Sequence, residues 1–301
     1  MITNLALKGG GVKGIAYVGA LHVLDQNNIL EGIERVSGTS AGSIVAGMIC
    51  AGYSVDQIEK LMHGMDFKKF ETGWNPIRLF TRYGLYSGDY ILQFIHKFMN
   101  ESPKGLKPNA TFKDMADAGC KKLYVFSTNL NTRLITEFSA DETPDIIVAE
   151  AIRASMSIPL FFKAWQFSQG DEQGHIFVDG GVGFNYPLSF FDRPRFMDGN
   201  TGTNPDSIGF YLTSKEHPKL KFGFSNSLSY IKHLFESLMN AQEIDFFEDG
   251  DQVQRSVFID DLGLSATDFN LSTQDMKNLV ESGRQSAERY LKEVYNKPAS
   301  S

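Results

Sequence analysis

Apolar runs and glycine breaks alternate through the first fifty residues. Leu5, Ala6 and Leu7 end a short extended run, after which Ile15, Val18, Leu21 and Leu24 recur at helical spacing as far as Asn27-Asn28. Residues 33–37 predict a second strand, and the apolar stretch 43–51 predicts a buried helix stopped by Gly52. Strand, helix, strand, helix in this order predicts a mostly parallel sheet between helical layers. Further on, residues 122–127 and 134–138 predict neighbouring strands, followed by a helix over 145–154 and strands over 176–179 and 208–212. A long helix over 227–243, a strand over 255–260 and a final helix over 273–293 complete the pattern, with Ser272 and Asp275 suited to cap the last helix.

Residues 53–110 break the alternation with Leu61, Met62, Met65, Phe67, Phe70, Trp74, Ile77, Leu79, Phe80 and Tyr83 ahead of a helix over 87–100. This aromatic-rich insertion after the second helix suits either a small core of its own or an apolar rim that touches lipid. No linker or charge block divides the 301 residues, so one α/β domain over 1–301 is expected, with 191–301 as its C-terminal part.

Composition narrows the class. Hydrophobic residues at 42% and charged residues at 22% fit a globular enzyme, and a net charge of −7 argues against nucleic-acid binding. The two cysteines, Cys50 and Cys120, have no paired spacing, which predicts free thiols and a reducing compartment. The N-terminal run enters a glycine loop without a basic flank, so it is expected to be a strand and not a signal peptide. No run reaches the length of a membrane span, so a cytoplasmic protein is expected, with peripheral membrane contact during catalysis.

The candidate chemistry lies at the breaks. Gly9-Gly10-Gly11-Val12-Lys13-Gly14 follows the first strand, and Gly38-Thr39-Ser40-Ala41-Gly42 joins the second strand to its helix. The latter is a nucleophile-elbow pattern: a sharp turn exposes a serine hydroxyl, which needs a base to take its proton and N–H groups to receive the oxyanion. Asp179, at a strand end before Gly180 and Gly181, is the expected base. The N–H groups of Gly9, Gly10 and Gly11 are the expected oxyanion donors. Lys13 is expected to support the loop, either as a solvated cation or as electrostatic help to the oxyanion or a lipid phosphate.

In that order, G-G-G-x-K-G, G-x-S-x-G and D-G-G resemble the patatin-like phospholipases. The resemblance spans roughly residues 1–190 and includes Gly84 to Asp89, Phe126 to Thr132, Ala151 to Pro159 and Asn185-Tyr186-Pro187. Where many members carry two asparagines before the proline, this chain has Asn185-Tyr186. The resemblance implies a three-layer α/β/α fold, a Ser40–Asp179 dyad and no cofactor. The implied activity is hydrolysis of fatty-acyl esters in phospholipid or lysophospholipid at a membrane or micelle surface, with headgroup, acyl position and any activator left open.

Two other readings stay open at this stage. Gly9-x-Gly11-x-x-Gly14 with Glu34 about 20 residues on also fits a dinucleotide-binding loop of an oxidoreductase. His217 or His233 after Asp179 would complete the Ser-Asp-His order of an α/β-hydrolase esterase. No H-x-E or H-E-x-x-H pattern occurs, so no metal is expected.

Overall fold

The computed structural model describes residues 1–168, 170, 172–214 and 227–295. Its strands are β1 (Asn4–Leu7), β2 (Arg35–Thr39), β3 (Gly84–Tyr86), β4 (Lys122–Asn129), β5 (Leu134–Phe138), β6 (Leu160–Phe162), β7 (Phe177–Asp179), β8 (Ser207–Thr213) and β9 (Ser256–Asp260). The main sheet runs β5-β4-β2-β1-β8-β9, with β7 also paired to β4. Strands β4, β2, β1, β8 and β9 are parallel, whereas β5 and β7 run antiparallel to β4. Strands β3 and β6 form a separate parallel pair.

Side-chain alternation along the central strands feeds two cores. Leu5, Leu7, Leu123, Val125, Ile208, Phe210, Val257 and Ile259 point into the larger one, against the helices Tyr17–Gln26, Ala41–Cys50, Val148–Ser155 and Thr273–Tyr290. Ala6, Tyr124, Phe126 and Tyr211 point the other way, into an aromatic cluster with Tyr186, Phe190, Phe191 and Phe246. The third layer is therefore built from irregular segments after β7 and from one end of the helix Ser227–Glu248. Tyr186 belongs to this cluster: it sits edge-on to Tyr211 and Phe246 and hydrogen-bonds Ser256 through its hydroxyl. Apolar burial on both faces is what a sheet interior of parallel strands requires.

The expected elements are present with shifted ends. The second strand begins at Arg35 and runs through Gly38 to Thr39, so it reaches the elbow itself. The last helix ends at Tyr290, and Ser272 and Asp275 cap it reciprocally. The short pair β3 and β6 had no alternating signal in the sequence. The insertion divides between its two readings: Met62, Met65, Phe67 and Phe70 are buried, whereas Trp74, Ile77, Phe80 and Tyr83 are exposed. Phe70 packs against Phe162 and Phe269, which ties the insertion to the main body.

The first and last long helices touch backbone to backbone, since a Cβ on Gly283 would meet the carbonyl of Ala16 and one on Gly19 the carbonyl of Val280. Gly283→Ala is expected to cost about 1–3 kcal/mol through overpacking, read as a lower thermal midpoint. An unchanged midpoint would show that this helix contact is looser than described.

Candidate active site

Strand β4 brings the site together. Its edge carries β2 as far as Thr39 opposite Phe126, and the next rung of the ladder pairs Ser127 with Asp179 of the oncoming β7. Ser40 and Asp179, 139 residues apart in sequence, are thereby neighbours, and Ser40 Oγ donates a 2.8 Å hydrogen bond to Asp179 Oδ2. Ser40 has φ 51° and ψ −127°, a left-handed conformation that is strained for a residue with a side chain. Three bonds hold it there. Its N–H donates to Ser155 Oγ at 2.9 Å, and its carbonyl accepts from the N–H of Ser43 at 2.9 Å and from Ser43 Oγ at 2.6 Å. Gly38 and Gly42 make the turn possible, because a Cβ on Gly38 would strike the backbone of Gly42 and one on Gly42 the carbonyl of Leu7.

The glycine loop lies beside this turn. Ser40 Cβ and Asn185 Oδ1 both crowd the position a Cβ would take on Gly9, and Gly14 faces Ala41. The N–H of Gly9 is committed to the carbonyl of Asn185 at 2.9 Å. Among the described residues, no hydrogen bond engages the N–H of Gly10 or Gly11, which open a 3-10 turn running to Ala16. Lys13 spends its charge elsewhere: its Nζ is 2.6 Å from Asp261 Oδ2, in a largely buried pair. Burial would raise the Asp261 carboxyl, but the charge and hydrogen bond of Lys13, with bonds from Ser214 and Gly263, hold it below the usual carboxylate range.

Asp179 is fully buried. That burial pushes its carboxyl up to about 7, against the lowering effects of the Gly181 N–H, the Ser40 hydroxyl and the positive field of Arg153. Gly180 lets the turn pass the carbonyl of Phe126, and Gly181 donates to Asp179 Oδ1 at 2.7 Å. Arg153 is itself fully buried and is solvated by oxygen atoms: Ser157 Oγ at 2.8 Å and the carbonyls of Gly88 and Ser87, each at 3.1 Å. Ser157 in turn accepts the backbone N–H of Asp179 through its carbonyl at 2.8 Å. Sequence reading left Arg153, Asn185 and Gln242 without a role. The helix that carries Arg153 also carries Glu150, so an arginine there gave no signal of its own in the sequence.

Of the two histidines considered for a triad, His233 lies beside Glu236 of its own helix at 3.8 Å, and His217 lies outside the described residues. Both Asp179 carboxylate oxygens are engaged, by Ser40 and Gly181, and no histidine among the described residues hydrogen-bonds either member of the pair. Glu34 stands exposed at the start of β2, at the opposite end from Ser40, where it cannot meet a ribose placed on the glycine loop. His22, Asp56 and Glu59 bring donor atoms within 4.8 Å of one another. The two carboxylates face different ring nitrogens of His22, which makes the group a hydrogen-bonded histidine away from the Ser40 turn. A cavity of about 910 Å³ lined by Phe126, Ile135, Phe184, Glu137, Glu142 and Glu150 does not include Ser40 or Asp179 in its walls, and its acidic groups disfavour an acyl chain.

A raised carboxyl has a stability consequence. Below about pH 4 the folded and unfolded chains both hold the Asp179 proton; as pH rises through about 7 the unfolded chain has released it and the folded chain loses stability. Asp179→Asn is therefore expected to melt higher than the wild type at pH 8, the gap closing towards pH 4. Thermal melts across that range check it, and a gap independent of pH would contradict the burial of an ionisable group.

A sequence profile of the patatin-like phospholipase family matches residues 5–192. Protein R571 of Acanthamoeba polyphaga mimivirus is 30% identical over 98% of this chain and 95% of its own length. YqhO of Bacillus subtilis is also 30% identical, over 97% of this chain and 99% of its own. The crystal structure of VipD from Legionella pneumophila superposes with a TM-score of 0.62 at 17% identity, over 97% of this chain and 67% of that one, a likeness of fold. The chain belongs to the patatin-like phospholipase family.

Proposed function

We propose that this protein is a lipid acyl hydrolase that cleaves fatty-acyl esters of phospholipids or lysophospholipids. The observation that carries the proposal is the 2.8 Å hydrogen bond from Ser40 Oγ to a buried carboxylate, made from a strained turn beside a glycine loop. Ser40 Oγ attacks the ester carbonyl while Asp179 takes its proton. The carbonyl oxygen becomes an oxyanion beside the N–H groups of Gly10 and Gly11, with Gly9 holding the loop through its bond to Asn185. Asp179 returns the proton to the leaving alkoxide, giving an acyl-serine and an alcohol. A water, deprotonated by the same carboxylate, then releases the fatty acid. The dyad is preferred to a histidine triad because Ser40 Oγ bonds Asp179 directly at 2.8 Å, with no room for an imidazole between them.

Membrane contact belongs to the same reading. Among the described residues no helix is long and apolar enough to cross a membrane. The helix Pro76–Arg82 buries no residue, and Trp74, Ile77, Phe80 and Tyr83, spaced by three, are 60%, 69%, 83% and 50% exposed. Lys68, Lys69, Arg78 and Arg82 fall in the same stretch as the acids Asp66, which pairs with Lys69 at 3.8 Å, and Glu71, in a chain whose total charge is −7. Exposed apolar side chains in a stretch with an excess of cations suit an anionic lipid surface. The patch adjoins the site through the β3–β6 pair, since Leu160 pairs with Gly84 and lies three residues beyond Ser157, which holds Asp179.

Incubation with mixed-acyl phosphatidylcholine, its lyso form and triacylglycerol, followed by mass spectrometry, is expected to yield free fatty acid from wild type and none from Ser40→Ala. Asp179→Asn is expected to lose activity and His217→Ala to keep it; the reverse pair would establish the triad. Because Asp179 must be ionised to act as base, kcat/KM is expected to fall about tenfold per pH unit below about 7. A flat acid limb would remove Asp179 from that role.

In a Ser40→Ala background, flotation with phosphatidylcholine–phosphatidylserine vesicles is expected to weaken more than about tenfold when Trp74, Ile77 and Phe80 are changed to serine. With Ser40 restored, hydrolysis of a soluble short-chain ester should be unaffected by the same changes. Flotation equal to that of the parent would assign the patch another partner.

A further inference from the structure

The Asn185 side chain is 2% exposed, and neither its Nδ2 nor its Oδ1 has a hydrogen-bond partner among the described residues. Its backbone is held at both ends. The carbonyl accepts the N–H of Gly9 at 2.9 Å, and the N–H donates to Gln242 Oε1 at 2.9 Å. Gln242 is fixed in turn by donating from Nε2 to the carbonyl of Gly181 at 2.7 Å. The amide is thus strapped between the glycine loop and the Asp179 turn. Its oxygen crowds the position a Cβ would take on Gly9, which is 3.2 Å from Ser40 Cβ, and lies 3.0 Å from the corresponding position on Gly181, equally close to Asp179 Oδ1.

A buried amide that is unpaired at both ends is costly, and such groups concentrate where a ligand completes them. A rigid backbone with an unsatisfied head beside the nucleophile has the form of a preorganised donor. The glycine loop also lacks one donor, because Gly9 gives its N–H to Asn185 itself.

Resting on the acyl-transfer reading of Ser40, we propose that the Asn185 side-chain amide contacts the substrate and donates an N–H to the ester carbonyl oxygen as it becomes an oxyanion. The glycine loop supplies Gly10 and Gly11, and Asn185 supplies a third donor, which the bond between Gly9 and its own carbonyl sets in place. Rotation about the terminal torsion of the side chain brings Nδ2 towards the reacting atom without moving the strapped backbone. Gln242 is a positioning residue in this arrangement.

The test is steady-state kinetics on p-nitrophenyl butyrate together with the affinity of a long-chain trifluoromethyl ketone, whose adduct with the serine carries the oxyanion. Asn185→Ala is expected to lower kcat about 100-fold with KM within about twofold, and to weaken the ketone by a similar factor. Its thermal midpoint should equal or exceed that of wild type, because an unsatisfied buried group has been removed. Asn185→Asp, which keeps the size and removes the donors, should be as slow, and it carries the comparison if the alanine variant does not fold.

A kcat within about threefold of wild type would overturn the proposal and leave the amide as a site for a fixed water. So would a loss of activity with a lowered midpoint and unchanged ketone affinity, which marks a structural role. If Ser40→Ala itself keeps wild-type turnover, the acyl-transfer reading falls and takes the inference with it. An inactive Ser40→Ala beside a wild-type-like Asn185→Ala defeats the inference alone.

Discussion

One edge of strand β4 is shared end to end by two strands that run towards each other. The opposite edge is taken by β5 over Val125 to Asn129, so β2 and β7 must occupy the same side, β2 as far as Phe126 and β7 from Ser127 onward. Neither strand can continue, because the other stands in its path one rung away, about 3.3 Å along the strand. Both chains must leave the ladder at once. The abrupt exit of β2 forces the left-handed Ser40, and that of β7 requires the small Gly180-Gly181 turn. The geometry of the pair follows from a collision of strand ends more than from any attraction between the two side chains.

The same crowding sets the electrostatics. A carboxylate at a blocked strand end has no route to water, so burial outweighs the hydrogen bonds it accepts, and its proton is held to about 7. Nearby cations could have cancelled this. Lys13 is neutralised by Asp261, and Arg153 is kept behind Ser157, where it contributes a field and no direct ion pair with Asp179. A bidentate pair with Arg153 would have stabilised the ionised carboxylate further and made it a weaker base. Solvating the guanidinium with carbonyls and a hydroxyl leaves Asp179 near neutrality while sparing Arg153 an unpaired burial.

The fold was legible where local pattern and tertiary demand coincide. Leu5 to Leu7, the run after Gly42 and the cap at Ser272 each point the same way in sequence and in space. The juxtaposition of Ser40 and Asp179 was approachable because both stand at glycine-rich strand exits, which leave a mark in composition. Arg153, Asn185 and Gln242 left none. Their positions depend on the meeting of segments distant in sequence, and an arginine in a helix or a glutamine in a later one is ordinary until its neighbours are known. The insertion failed to declare itself for a different reason: Phe70 and Phe80 are equally apolar, and only the packing against Phe162 and Phe269 separates a buried ring from an exposed one.

Burial and access are in tension at this site. Ser40 is 3% exposed and Asp179 is fully enclosed, so on the proposed chemistry an ester reaches the hydroxyl only if part of the surround moves. Sheet and elbow cannot be that part, since their movement would dissolve the ladder that defines the pair. One contact beside the pair is polar: Gln242, on the helix Ser227–Glu248, meets the turn after Asp179 through hydrogen bonds to Gly181, Val182 and Asn185. Hydrogen bonds of this kind exchange for water at small net cost, whereas withdrawing Phe126 or Phe177 would expose apolar surface. Breaking the Gln242 bonds therefore costs less than breaking the ladder, while Ile231, Phe235, Met239 and Phe246 keep the helix that carries Gln242 on the core.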